Sequence, residues 1–209
     1  MDQVSWSIVL ANLVAALLPL ASSGSTAQAR SEVIAAFRSD LDTFKADLRR
    51  LSFDDFQHLL PDSRETPTHF KWHLFASEDE SYKVWLHEYK NSAVRLGGYA
   101  QTVHNHRYAM TSLLLSGGYR HSKFVVDDVT SSAIDLQLIA TSELSAGASY
   151  SLEADEFHSV TEIVDGTVSL VIQWSSCDIH STSVDLLTRK VVQHFPIESR
   201  FDILRSVFD

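Results

Sequence analysis

From His69 onward the apolar residues of this chain recur at every second position, and that rhythm limits the kind of fold it can adopt. Phe70, Trp72 and Leu74 alternate with His69, Lys71 and His73, and a period of two belongs to a strand with unlike faces. Tyr82 to Tyr89 is rich in the aromatic and branched residues that suit strands. Further runs that read as strands are 99–108, 111–116, 119–126, 133–140, 149–152, 157–164, 168–174 and 181–194. Turn formers such as Gly117-Gly118 and Gly147 separate most of them. Many short strands without strand–helix alternation make the fold mainly β, an antiparallel β-barrel or jelly roll.

Ahead of His69 the period is helical. Val33, Ile34, Phe37, Leu41, Phe44 and Leu48 recur at three- and four-residue spacing, one apolar stripe on a helix from about 31 to 51. Ser52-Phe53-Asp54-Asp55 looks like an N-cap with an acidic first turn, opening a short helix that Pro61 stops. Residues 22–26 form a polar linker. Ile8 to Leu20 is apolar except for Asn12, and Ala27-Gln28-Ala29 resembles a signal-peptidase site. The acidic start Met1-Asp2-Gln3 opposes a secretory signal, and the run is too short and interrupted for a spanning helix. Residues 4–18 therefore read as an amphipathic or buried helix. The expected organisation is an N-terminal α-helical arm, residues 1–66, packing on the barrel or on a partner subunit, and a β-barrel domain, residues 67–209. The arm offers a surface for a homodimer.

Charge and cysteine content narrow the function classes. Lys and Arg number 17 against 27 Asp and Glu, a formal net charge of −10. No basic run exceeds a pair such as Arg49-Arg50, so nucleic acid is not expected as a partner. A single cysteine, Cys177, forms no intrachain disulfide and fits a reducing, cytoplasmic compartment. The ten histidines are then the natural ligands for a borderline metal.

Two of these, His104 and His106, flank Asn105 in a strand-like run, so period two turns both imidazoles to one face. His158 lies on a later strand. Three imidazoles arranged in this way leave metal positions open, which catalysis needs and a structural site avoids. The plain alternatives are polar strand residues for His104 and His106 and a core histidine for His158. Tyr108 shares the phase of the pair. Arg107, out of phase, and Arg120 are the best partners for a substrate carboxylate, since guanidinium grips it bidentately. His121 is a further candidate for substrate binding.

These residues resemble the cupin superfamily. Its first motif, glycine, His-x-His and a later glycine, is matched by Gly98, His104-Asn105-His106 and Gly117-Gly118. Its second is matched by Gly147 and His158 in register, with Glu153, Asp155 and Glu162 replacing its proline, second glycine and asparagine. Met110 and Thr111 stand where the first motif carries a glutamate, so the resemblance implies a three-histidine centre like that of the cysteine dioxygenase-type thiol dioxygenases. In that subgroup a Ser-His-Tyr relay follows on a later strand. Ser169 matches its serine, while Val171 and Gln173 replace its histidine and tyrosine. Thr111 stands where the crosslinking cysteine would be, and Val84 where a carboxylate-binding arginine would be.

The resemblance implies a cupin-type barrel and a mononuclear non-haem Fe(II) oxygenase or oxidase. His104, His106 and His158 would be its ligands, and Ser169, Gln173 and Tyr108 the catalytic side chains. It would act with O2 on a small metal-coordinating substrate, a specialised metabolite rather than free cysteine. Imidazole also suits Ni, Zn, Co, Mn or Cu. The alternatives are a metal-dependent isomerase, lyase or cyclase, with Glu153, Glu162 or His121 moving protons, and a non-catalytic small-molecule-binding barrel.

Overall fold

A computed structural model describes residues 27–39, 41–50, 52, 54, 57, 60–93, 102–127, 134–176 and 180–195. The expected helix over 4–18, the linker over 22–26 and Cys177 lie outside them. Two helices, α1 (Ala27–Ser39) and α2 (Leu41–Leu48), precede the strands β1 (Arg64–Glu65), β2 (His69–Ala76), β3 (Tyr82–Tyr89), β4 (Thr102–His104), β5 (Tyr108–Ser116) and β6 (Gly118–Asp127). Then come β7 (Asp135–Ser145), β8 (Ser149–Leu152), β9 (Phe157–Thr161), β10 (Val168–Ser176), β11 (Ser181–Asp185) and β12 (Val191–His194). Among the described residues no helix is long and apolar enough to cross a membrane.

The strands form two antiparallel sheets, ordered β1-β2-β3-β10-β5-β8 and β12-β11-β4-β9-β6-β7. Eight of them are one long hairpin folded over: β6 pairs with β7, β5 with β8, β4 with β9 and β3 with β10. That nesting is a jelly roll, the expected cupin-type barrel. The β5–β6 turn is pinned from the other side of the fold. Gly117 has φ +66°, and a Cβ there would lie 2.2 Å from Thr167 Oγ1, the atom that accepts from the Gly118 amide at 2.9 Å. Only glycine fits both demands.

The alternation on β10 decides which face goes where. Leu170, Ile172 and Trp174 join Val84, Leu86, Leu113 and Leu115 on the outer face of the first sheet, against Val33, Ile34, Phe37 and Phe44 of α1 and α2. The helical stripe thus meets a sheet face that is apolar in the same way. The other phase of this sheet looks inward and is far more polar. Buried Arg30 of α1 also forms an ion pair with Glu153 in the β8–β9 turn.

Several expected elements differ, among them the strand expected over 133–140, which runs Asp135–Ser145. The helix over 31–51 is two helices, with its first residue at Ala27. The strand expected over 181–194 is a hairpin of β11 and β12. Its turn carries neither Gly nor Pro; Asp185 Oδ1 instead accepts from the Leu187 and Thr188 amides at 3.0 and 2.7 Å. The strand expected over 99–108 shows β4 only at 102–104, and the chain then leaves one sheet for the other through Asn105, His106 and Arg107. Asn105 fixes the crossing: its Oδ1 accepts from the Thr182 amide at 2.6 Å and its amide donates to the Thr182 carbonyl at 3.0 Å.

Candidate metal centre

β4 and β9 place His104 directly opposite His158 in their shared ladder. Both are buried, with relative exposures of 7% and 3%, and their ring centroids lie 4.5 Å apart. His106 is not on the strand. It sits in the crossing to the other sheet, where its amide donates to the Ala154 carbonyl at 3.3 Å. Its ring turns back and stacks on Tyr108 at 5.3 Å. The period-two argument therefore does not apply to His106, and the crossing brings its imidazole to the same place. One ligand atom from each histidine lies within 4.8 Å of the others.

Hydrogen bonding favours the ring nitrogen a metal needs. His104 Nδ1 lies 3.3 Å from the Thr102 carbonyl, which only accepts, so Nδ1 carries the proton and Nε2 keeps its lone pair. His158 Nδ1 lies 3.1 Å from His121 Nε2. Donation from His158 Nδ1 to His121 leaves His158 Nε2 as the ligand atom, and His121 is held in turn by stacking on Tyr150 at 4.2 Å. His106 Nε2 and His158 Nε2 are 2.9 Å apart. Two bonds of about 2.1 Å meeting at roughly a right angle span about 3.0 Å, so this pair fits adjacent positions on one divalent ion.

Burial keeps these rings neutral, as ligation requires. It is the main cause that lowers His104 to about 4, opposed by the Thr102 carbonyl and aided by His194. Burial and neighbouring rings hold His106 and His158 well below the ordinary histidine range. The three histidines could hold a metal ion, and among the described residues no carboxylate completes the set.

The centre opens into a cavity of about 360 Å³ between the sheets. Tyr108 and Gln173 line it, as does Val171. The other residues expected near the substrate lie elsewhere. Ser169 is 1% exposed and is not part of the cavity wall; its hydroxyl has no hydrogen-bond partner among the described residues. Arg107 is half-buried in the crossing and is not part of the wall. Arg120 is on the outside, ion-paired with Glu143 and Glu162, because its phase on β6 faces solvent. His121 stands behind His158, as a support for the ligand. Glu153 is paired with Arg30 and Glu162 with Arg120, so neither faces the cavity as a proton carrier.

Sequence reasoning missed the wall supplied by β1–β3. His69, Lys71, Trp85 and His87 point inward, and Arg64 joins them. His69 and His87 are 4.5 Å apart by ring centroids, and the Nε2 atoms of both have no protein partner. Burial lowers His69 to about 3, with Lys71 next in effect. A signal for this wall was present. The helical stripe needs an apolar sheet face, so the polar phase of β2 and β3 must look into the barrel.

No family model matches the sequence, and no curated protein does. Solved structures with a similar course of chain include ectoine synthase from P. lautus, at 12% identity and TM-score 0.38, over 59% of this chain and 77% of that one. An oxalate decarboxylase variant from Bacillus subtilis matches at 15% identity and TM-score 0.37, over 60% of this chain and 29% of that one. The DMSP lyase DddQ from Ruegeria pomeroyi matches at 15% identity and TM-score 0.37, over 63% and 58%. The fold and site together define an antiparallel jelly-roll barrel with a three-histidine cluster suited to a divalent metal ion.

Proposed function

We propose that this protein is a metal-dependent enzyme whose His104, His106 and His158 hold one non-haem Fe(II), and that it oxidises a small substrate with O2. The observation that carries the reading is the convergence of three neutral imidazoles, without a carboxylate among the described residues, in the wall of a cavity between the sheets. Three uncharged ligands leave a divalent ion its full charge and several exchangeable positions, where Fe(II) supplies places for O2 and substrate side by side.

The protein's own part is positional. Thr102 and His121 fix the ligand tautomers. Met110, Val160 and Ile163 give the cavity an apolar side that excludes water. Tyr108 and Gln173 offer a phenol and an amide to the substrate's polar groups. Val171 and Gln173 cannot act as the histidine and phenolic acid of the thiol dioxygenase relay, and free cysteine is accordingly a poor candidate. Metal analysis of protein purified without added metal or nickel affinity tests the reading, together with O2 uptake. One iron per chain and substrate-dependent O2 consumption are expected. Wild-type protein that holds no more metal than His106→Ala would overturn it.

One observation favours a second reading, a redox-neutral isomerase, lyase or cyclase on the same centre. His69 and His87 both line the cavity with their rings 4.5 Å apart, so two imidazoles stand beside any substrate it holds. Turnover under strict anaerobiosis belongs to this reading alone.

A further inference from the structure

The outer part of the cavity carries an arrangement that the metal centre does not explain. The β1–β2 register sets Arg64 directly opposite Lys71. Like charges opposed across a ladder are destabilising, and here both cations also crowd one ring. The Arg64 guanidinium carbon is 5.2 Å and Lys71 Nζ 4.8 Å from the centre of Trp85.

Charged neighbours on these strands are paired with opposite charge. Glu65, next to Arg64, pairs with Lys90, and His73 faces Asp62 at 3.6 Å. Among the described residues neither Arg64 nor Lys71 has an acidic partner, and no Asp or Glu lines the cavity. This occurs in a chain with ten more acidic than basic residues. Acidic groups are abundant, and none is placed here.

Deeper in, Trp85 is 3% exposed, and its Nε1 and the Nε2 atoms of His69 and His87 are buried without a protein partner. Buried polar atoms of this kind cost free energy unless something meets them. Arg64, exposed, and half-buried Lys71, both over the Trp85 ring, give the cavity one strongly basic stretch of wall. It runs beside the apolar side formed by Met110, Val160 and Val171.

We infer that the cavity is built for a small organic acid. Its ionised carboxylate would sit against Arg64 and Lys71, its body along the Trp85 wall, and its far end would reach the histidine centre. The carboxylate supplies the missing counter-charge, and a guanidinium beside an ammonium suits two carboxylate oxygens. The inference names the substrate class of the proposed function and rests on that reading for the ligand's inner end only.

The test uses the full chain stripped of metal by chelation, with 4-fluorobenzoate and its uncharged counterpart 4-fluorobenzamide as probes, followed by fluorine NMR. The acid is expected to bind at least about tenfold tighter than the amide at low ionic strength, with the preference shrinking as salt rises. In the double variant Arg64→Gln/Lys71→Gln the preference should fall to near parity, while metal content stays at the wild-type level. Equal binding of the two probes, binding of neither, or a preference that survives the double substitution would each overturn the inference. A preference seen only after metal is restored would overturn it too, since the metal would then be the anion's partner. In His106→Ala the acid preference should persist although the metal site is gone. If wild-type protein holds no metal and the preference stands, the proposed function fails and the acid site remains.

Discussion

His158 Nδ1 lies 3.1 Å from Nε2 of His121, so one imidazole of the candidate centre is backed by another that does not touch the cavity. Removing the support should loosen the ligand without removing it. His121→Ala is expected to lower metal affinity roughly 10–100-fold. His121→Gln, whose amide oxygen can still accept from Nδ1, should recover part of the loss. Competition with a chelator measures both, and equal affinities in all three proteins would remove His121 from any positioning role.

His106→Ala should abolish metal binding while the barrel stays folded. The imidazole sits in the crossing between sheets and makes no part of the three buried apolar clusters. Two remaining imidazoles hold a divalent ion poorly. Elemental analysis alongside circular dichroism tells the outcomes apart; full metal content in a folded variant would contradict the assignment.

Acid should destabilise the metal-free protein well before its carboxylates titrate. An unfolded histidine titrates near 6.5, whereas burial lowers His104 to about 4 and His69 to about 3 in the fold. Between those values the unfolded chain binds more protons, so stability is fully present above about pH 6.5 and is lost as pH falls towards 4 and below. Urea midpoints taken from pH 7.5 to 4.5 should decline steadily, and His69→Gln should flatten the decline. Midpoints independent of pH over that range would refute the burial of neutral rings.

Phe37→Ala should cost about 3 kcal/mol or more, the usual range for removing a buried aromatic ring. Phe37 is 8% exposed, meets Phe44 edge-on at 5.8 Å, and lies in the layer between α1 and the first sheet. Urea unfolding gives the value. A loss under about 1 kcal/mol would mean that the arm adds little to the barrel.

Much of this molecule can be read in its sequence wherever one period governs. The limits of the strand Tyr82–Tyr89 follow from composition, and those of Ser149–Leu152 from the turns beside it. The three histidines are legible through the resemblance of His104-Asn105-His106 and Gly147–His158 to a known pair of motifs. The reading stops where a residue's environment is set by a distant element. Nothing local to His106 shows that the chain changes sheet at Asn105, because the Thr182 backbone that holds it lies 77 residues away. Lys71 and Arg64 are ordinary surface cations by local rules. They become cavity residues only because α1 and α2 claim the opposite face of their sheet. Arg120 lies away from the cavity for the converse reason: its phase on β6 carries it to Glu143 and Glu162.

The Arg30–Glu153 ion pair gives the helical arm a second role. Glu153 precedes Ala154, whose carbonyl receives the amide of His106. Cutting back the arm to obtain a minimal barrel would therefore do more than bare an apolar sheet. It would release the turn against which one metal-ligand candidate is braced, and shortening from the N-terminal side would be felt at the histidine cluster even though no described residue of α1 or α2 lines the cavity.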